Sequence, residues 1–315
     1  MNVLVTGGCG FIGRWVVRKL ISDGHLVYVI DNLSNSDKSN LIDITPIDNF
    51  KGLFVADIKD ANEIREIFKN NFDMCFHLAA NINVQNSIDT PQNTFENDVI
   101  GTFNILEECR KNKVKLVFIS TCMVYERCFN EEGIIETHPL KPASPYAASK
   151  ISGENLILSY YYSYKLPVLI IRPFNTYGPY QKANGEGGVV AIFILKKLLG
   201  DHLTIYGNGT QTRDLLYVED CANFIVESGY SKKGEGQIFN VGTGKDITIN
   251  QLAEKIACDR RLIKHIPHIH PQSEIQKLMC NYDKAKRIFD WKPEIDMSEG
   301  IRRTEEWLMA EIKTR

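Results

Sequence analysis

The first half of the chain alternates two rhythms of apolar residues. Six short runs, NVLVTG, HLVYVID, GLFVAD, DMCFHLA, VKLVFIS and PVLIIRP, are rich in β-branched and aromatic residues and are predicted as strands. Between them, segments 11–22, 61–69, 94–111 and 145–164 carry apolar residues at helical spacing and are predicted as helices. Strands that read as continuous apolar runs are buried on both faces. Their alternation with helices indicates βαβ units, hence an α/β fold with a doubly wound parallel sheet. From about Tyr177 the pattern loosens, broken by Pro179, Gly185, Gly187 and Gly188. A smaller second lobe is expected there, giving domains of 1–176 and 177–315, with residues 214–245 returning to the first. There is no internal repeat.

Bulk properties narrow the function classes. The 315 residues suggest one large or two closely packed domains, and 43% hydrophobic content supports a substantial core. A formal net charge of −2 provides no global field for nucleic acid or an anionic membrane, so neither is an expected partner. The opening MNVLVTGG lacks a basic stretch followed by an apolar one, so no signal peptide is expected. No apolar run approaches the ~18 residues of a membrane span. The 8 cysteines are scattered, with no CxxC pair. They read as buried small hydrophobes in a reducing, cytoplasmic compartment, and no metal site is expected.

VTGGCGFIG places Gly7, Gly10 and Gly13 between a strand and a helix. In that context the spacing signals dinucleotide binding. The glycines permit a tight turn and close backbone approach to a pyrophosphate, which sits on the helix N-terminus beside Phe11 and Ile12. Asp31, followed by Asn32, ends the second strand about 20 residues further on, where a carboxylate accepts ribose hydroxyls and repels a 2′-phosphate. NAD is therefore expected over NADP. Asp57, with Ile58, closes the third strand and could accept the adenine amino group. Small residues after the fourth strand, in Leu78, Ala79 and Ala80, permit close approach of a cofactor, whereas His77 is expected to satisfy core hydrogen bonds.

Tyr146 and Lys150 lie four apart in YAASK, on one helical face. A neighbouring ammonium and a positive nicotinamide ring would lower the tyrosine pKa from about 10, letting tyrosinate take a proton from a substrate hydroxyl while hydride leaves the carbon. Thr121, at the end of the neighbouring strand, could share that hydroxyl's hydrogen bond.

VTGGCGFIG, DNLS, HLAA, STCMVY, YAASK, RPFNTYGP, YGNGTQTRDLLYVED, FNVGTG and YDKAKRIFDWKP together cover nearly the whole chain. With these pieces the sequence resembles an extended short-chain dehydrogenase/reductase of the nucleotide-sugar epimerase/dehydratase family. The resemblance implies a Rossmann domain with a small C-terminal substrate lobe, bound NAD, oxidation of a sugar C4 hydroxyl, and a homodimer or homotetramer. It makes Thr121, Tyr146 and Lys150 catalytic. It also places Asn175 near the sugar diphosphate, Arg213 on the pyrophosphate and Tyr206 near the base. The chain departs from the family pattern at three points. His270 stands where an arginine usually binds diphosphate, Glu126 replaces a glycine after VY, and Asp98 replaces the asparagine of NVxGT.

The family's 4,6-dehydratases follow that threonine with an acid and a glutamate base. Here the positions hold Cys122 and Met123. A thioether has no exchangeable proton and almost no basicity, so Met123 cannot serve as the base, and the loss of such a group removes about 10²–10⁴ in rate. Both residues are expected to pack against the sugar. Oxidation at C4 without loss of water remains. The sequence reading favours release of the 4-keto sugar, a net 4-dehydrogenase, over a 4-epimerase that returns the hydride. A dehydratase using Cys122 as a weak acid, and a non-catalytic NAD-sensing regulator, rank below both.

Overall fold

The computed structural model describes residues 1–126, 132–184, 188–257, 259–268 and 275–314. In chain order the first elements are β1 (Asn2–Thr6), α1 (Phe11–Ser22), β2 (Leu26–Asp31), β3 (Phe50–Val55), α2 (Ala61–Ile67) and β4 (Met74–His77). Then follow α3 (Val84–Asp89), α4 (Pro91–Phe95), a π-helical turn (Glu96–Ile100), α5 (Gly101–Asn112), β5 (Lys115–Ile119), α6 (Pro145–Tyr164) and β6 (Val168–Pro173). The rest comprises β7 (Asn175–Tyr177), α7 (Val189–Leu198), β8 (Leu203–Tyr206), β9 (Thr212–Tyr217), α8 (Val218–Tyr230), β10 (Gln237–Val241), β11 (Asp246–Thr248), α9 (Ile249–Ala257), β12 (Ile263–Ile266), α10 (Asp283–Phe289) and α11 (Met297–Thr314).

The chain divides into two compact units, each assembled from three segments. One is Met1–Val124, Ser144–Arg172 and Ala222–Phe239; the other is Tyr125–Ala143, Pro173–Cys221 and Asn240–Arg315. The first is built on a 7-stranded sheet ordered β10-β6-β5-β4-β1-β2-β3. The order reverses beside β1, with β2 paired parallel on one flank and β4 on the other. That reversal opens a crevice at the strands' C-terminal ends, the place where open α/β sheets bind ligands. The core is continuous: Leu4, Ile30, Cys75, Leu116, Val168 and Ile170 are buried beneath Ile105, Leu106 and Ile157 of the covering helices. Among the described residues the second unit holds a 3-stranded sheet, β11-β9-β7, and a 2-stranded one, β12-β8. Its own core includes Phe193, Ile194, Leu203, Leu252 and Ile256.

The predicted helix at 145–164 is α6 in full. Pro145 occupies its first turn, the Ser144 hydroxyl accepts the Ala147 N–H at 3.2 Å, and Lys165 ends it at φ 58°. The helix predicted over 94–111 needs correction, because α4 passes through the π-helical turn at Glu96–Ile100 before continuing as α5. The extra residue turns Asp98 inward, where it is 2% exposed. Among the described residues no helix is long and apolar enough to cross a membrane.

Candidate active site

The glycine turn is shaped by close approach. Gly7 has φ +69°, and a Cβ there would lie 2.8 Å from the backbone nitrogen of Ala79. The segment Leu78–Ala80 thus backs directly onto the turn, with the Leu78 N–H bonded to the Thr6 carbonyl at 3.1 Å. Helix α1 starts at Phe11 with Gly10 as its N-cap, no side-chain cap and no acidic residue in its first turn. Its first-turn amides, those of Phe11, Ile12 and Gly13, therefore present a positive helix end with no acidic residue in the turn itself, suited to a pyrophosphate.

Asp31 sits at the end of β2, 7% exposed, and is already organised. Its Oδ2 accepts the Cys9 N–H at 3.0 Å, and Oδ1 accepts Leu33 N–H at 2.9 Å and the Ser36 hydroxyl at 2.8 Å. A carboxylate has about four acceptor sites, so these bonds orient it and leave capacity for a ribose hydroxyl. Asn32 donates to Asp57 Oδ2 at 3.3 Å, which brings the two expected adenosine-side residues together. The side chain of Ile58 is core, packed where a Cβ on Gly101 would meet its Cδ1 at 2.5 Å, so its contribution to a cofactor is backbone only. The residues present fit a dinucleotide with free ribose hydroxyls.

His77 is fully buried between two hydroxyls, with Nδ1 2.6 Å from Thr6 Oγ1 and Nε2 3.0 Å from Thr102 Oγ1. Burial, then the charge of Lys150, pushes its pKa down to about 3. It is a neutral structural group. Unfolding lets it bind a proton below its ordinary value of 6.5, so its contribution is intact above that pH and is lost as pH falls toward about 3. By this linkage the wild type should lose about 2 kcal/mol between neutral pH and about pH 5, measured by denaturant unfolding. A His77→Gln variant should lack that share of the slope; an identical slope would show that His77 titrates normally.

Tyr146, Lys150 and Thr121 come together in the first unit and are 7%, 4% and 9% exposed. The Lys150 ammonium donates to the Ile119 carbonyl at 3.0 Å and lies 4.9 Å from the centre of the Phe118 ring. Thr121 Oγ1 accepts the Met123 N–H at 3.2 Å, which leaves its own proton directed to the Tyr146 oxygen. The expected lowering of the Tyr146 pKa is not found in the chain alone. Burial pushes it well up, the Asp98 charge adds to that, Thr121 opposes it, and Cys122 adds a smaller upward push. Lys150 is itself pushed down by burial, against the raising effect of Asp98 and Glu154. In the chain alone these influences favour the neutral phenol, and the positive nicotinamide ring of a bound NAD would act in the opposite direction. Cys122 is buried at 3% exposure and Met123 is half-buried, so neither offers a solvated acid or base. All six described cysteines are buried.

Sequence reading noted Asp98 only as a departure and missed its contacts. Its carboxylate accepts bonds from Asn81 N–H, the Asn97 amide and the Ser149 hydroxyl at 2.7, 2.9 and 3.0 Å. The available signal was an acidic residue at the position where the resembled family carries the asparagine of NVxGT.

The remaining expected residues belong to the second unit. Asn175 lies in β7, and its buried Oδ1 has no hydrogen-bond partner among the described residues, a position a polar ligand would satisfy. Arg213, in β9, donates from Nη1 to the carbonyls of Thr212 and Ile275 at 2.7 and 2.8 Å. Its neighbour Asp214 is fully buried and accepts Thr243 N–H, Thr243 Oγ1, Gly244 N–H and Cys280 N–H, at 2.7–3.0 Å, which fixes the strand carrying Arg213. Tyr206 ends β8, 43% exposed, its ring edge-on to His268 at 6.0 Å. His270 lies outside the described residues.

Residues 4–304 match the family model of GDP-mannose 4,6 dehydratase. The UDP-glucose 4-epimerase of Mycolicibacterium smegmatis is 36% identical over 311 residues, 98% of each chain. Among solved structures, Pal from Bacillus thuringiensis is 59% identical with a TM-score of 0.97, covering 98% of this chain and 99% of that one. The Thermus thermophilus UDP-glucose 4-epimerase, solved in complex with NAD, is 34% identical with a TM-score of 0.90, covering 98% and 99%.

Proposed function

The chain belongs to the extended short-chain dehydrogenase/reductase family of nucleotide-sugar epimerases and dehydratases, and on that premise we propose that it is an NAD-dependent UDP-sugar 4-epimerase. The observation that carries the reading is the buried Thr121–Tyr146–Lys150 set, equipped for oxidation at C4, with a thiol and a thioether, Cys122 and Met123, at the two positions where the family's dehydratases carry their acid and base. NAD, held by the Gly7–Gly13 turn and Asp31, supplies a hydride acceptor that can give the hydride back. Tyr146, with its proton path set by Thr121, takes the C4 hydroxyl proton as hydride leaves C4. It returns the proton when hydride re-enters the opposite face of the ketone. The sum is redox-neutral, so no second oxidant is required. UDP is chosen because the 36%-identical relative and the NAD-bound structure are both UDP-glucose 4-epimerases. Arg213 and Asn175 are the groups for the diphosphate, and Tyr206 for the base.

Release of the 4-keto sugar, favoured from the sequence, is not specifically shown by these relatives, whose names support the epimerase alternative. A homodimer or homotetramer is the proposed assembly: Phe95, Ile100, Phe103, Tyr162 and Tyr164 leave exposed apolar surface on α4, the π-helical turn, α5 and α6.

Incubation with UDP-glucose, UDP-galactose and their N-acetylated counterparts, read by mass spectrometry and NMR, tests this. The expected product has unchanged mass and inverted C4, and a substrate deuterated at C4 should give a product that retains the deuterium there. A product lighter by two hydrogens would establish the dehydrogenase instead. Loss of water would overturn the assignment of Met123 as an absent base.

A further inference from the structure

We propose that Asp98 is the charge-setting and positioning residue of the Tyr146–Lys150 pair: from the π-helical turn it ties the catalytic turn of α6 to the loop after β4, and its carboxylate is the anion that answers Lys150. The inference rests on the proposed roles of Tyr146 and Lys150.

The tie is visible in the bonds of one side chain. Oδ1 holds the Asn81 N–H at 2.7 Å, just past the Leu78–Ala80 segment that faces the glycine turn. Oδ2 takes the Ser149 hydroxyl at 3.0 Å, and Ser149 sits between Tyr146 and Lys150 on α6. The π-helical turn supplies the direction. Without its extra residue, position 98 would rotate by about 100° about the helix axis and lose both partners.

The charge argument follows from the other ionisable groups around the pair. Glu154 also faces Lys150, but it is taken by Arg172, whose Nε and Nη2 reach its two oxygens at 2.8 and 2.5 Å with both side chains almost fully buried. His77 is neutral. Around Tyr146 stand Asp98, the Cys122 thiol and the Thr121 hydroxyl. Of the described carboxylates that act on the pair, Glu154 is thus held by Arg172, whereas Asp98 is held by an amide N–H, a side-chain amide and a hydroxyl. It favours the ammonium form of Lys150 and the neutral form of Tyr146 together. A phenol held protonated is the form needed to return a proton to a ketone, the second half of a reversible oxidation.

An amide is isosteric with this carboxylate and can keep the tie. In Asp98→Asn the amide oxygen would still accept Asn81 N–H, and the amide nitrogen could donate to Ser149 Oγ, which already has the Tyr146 carbonyl at 2.8 Å as an alternative acceptor. This variant thus removes charge while preserving contacts, and Asp98→Ser is a second neutral variant should the first fold poorly. In the NAD-loaded protein, the tyrosinate absorbance of each form minus that of its Tyr146→Phe counterpart isolates the ionisation of Tyr146 without any sugar. Both neutral variants should move that ionisation down by about one to three pH units. With substrate, both limbs of the pH–rate profile should move down with it, whereas Ser149→Ala, which keeps the carboxylate, should leave the limbs in place. Unmoved ionisation and limbs with a uniform fall in rate would reduce Asp98 to a structural residue and overturn the proposal, as would an upward shift. The spectroscopic arm reads Asp98 even if no UDP-sugar turns over, so failure of the epimerase reading remains distinguishable.

Discussion

Tyr146→Phe is expected to lower turnover by about 10³-fold or more while leaving folding and cofactor retention intact, since general acid–base groups contribute about 10²–10⁴ and here one phenol serves in both directions. The ring fills a buried place, and phenylalanine keeps that volume. What disappears is the oxygen to which Thr121 directs its proton. A thermal melt and the NAD content of the purified variant separate a catalytic loss from a folding loss. Turnover within about tenfold of the parent would mean that another group moves the C4 proton.

Gly13→Ala should have the largest effect on the cofactor. A Cβ at this position would lie 2.0 Å from the Gly7 carbonyl oxygen and 2.9 Å from the Gly7 carbonyl carbon and Gly8 Cα. These are backbone atoms of the turn that cradles the pyrophosphate, so no flexible side chain can yield. Helix α1 must move away from β1, and the amides that bind the anion move with it. NAD affinity is expected to fall by about 100-fold or more, by the reach of a lost charge-assisted bond set. Gly24→Ala is the control. Gly24 has φ +84° with nothing within 4 Å of the added atom, so only backbone strain of about 1 kcal/mol is incurred and NAD should remain bound. Comparable NAD loss in both variants would show that general destabilisation, and not the cradle, is being read.

Features set by local pattern were legible in the sequence. The strands announced themselves as apolar runs, and 145–164 was readable to its ends because Ser144, Pro145 and its spacing agree. The glycine turn and the Tyr146–Lys150 spacing were equally local. Three things were not. The π-helical turn inserts one residue into a helix whose apolar spacing averages over it, so 94–111 read as regular and Asp98 as an oddity. The direction of the Tyr146 pKa depends on burial and on a carboxylate 48 positions away, neither of which the YAASK motif encodes. The third was the assignment of Tyr125–Ala143 away from its chain neighbours, because long-range partnership leaves no periodic trace.

The place of β10 at the sheet edge beside β6 bears on how the molecule is made. Strand β6 is buried along its whole length in the finished fold, yet on the ribosome it emerges well before the strand that covers its edge. The delay from Arg172 to Gln237 is 65 residues, about 3–13 s at typical elongation rates. During that interval the nascent chain carries an open, apolar strand edge, the kind that invites intermolecular pairing. Synthesis of the nucleotide-binding half is therefore not finished where its motifs end. Chaperone protection of the nascent chain is needed most while residues 173–236 are being made.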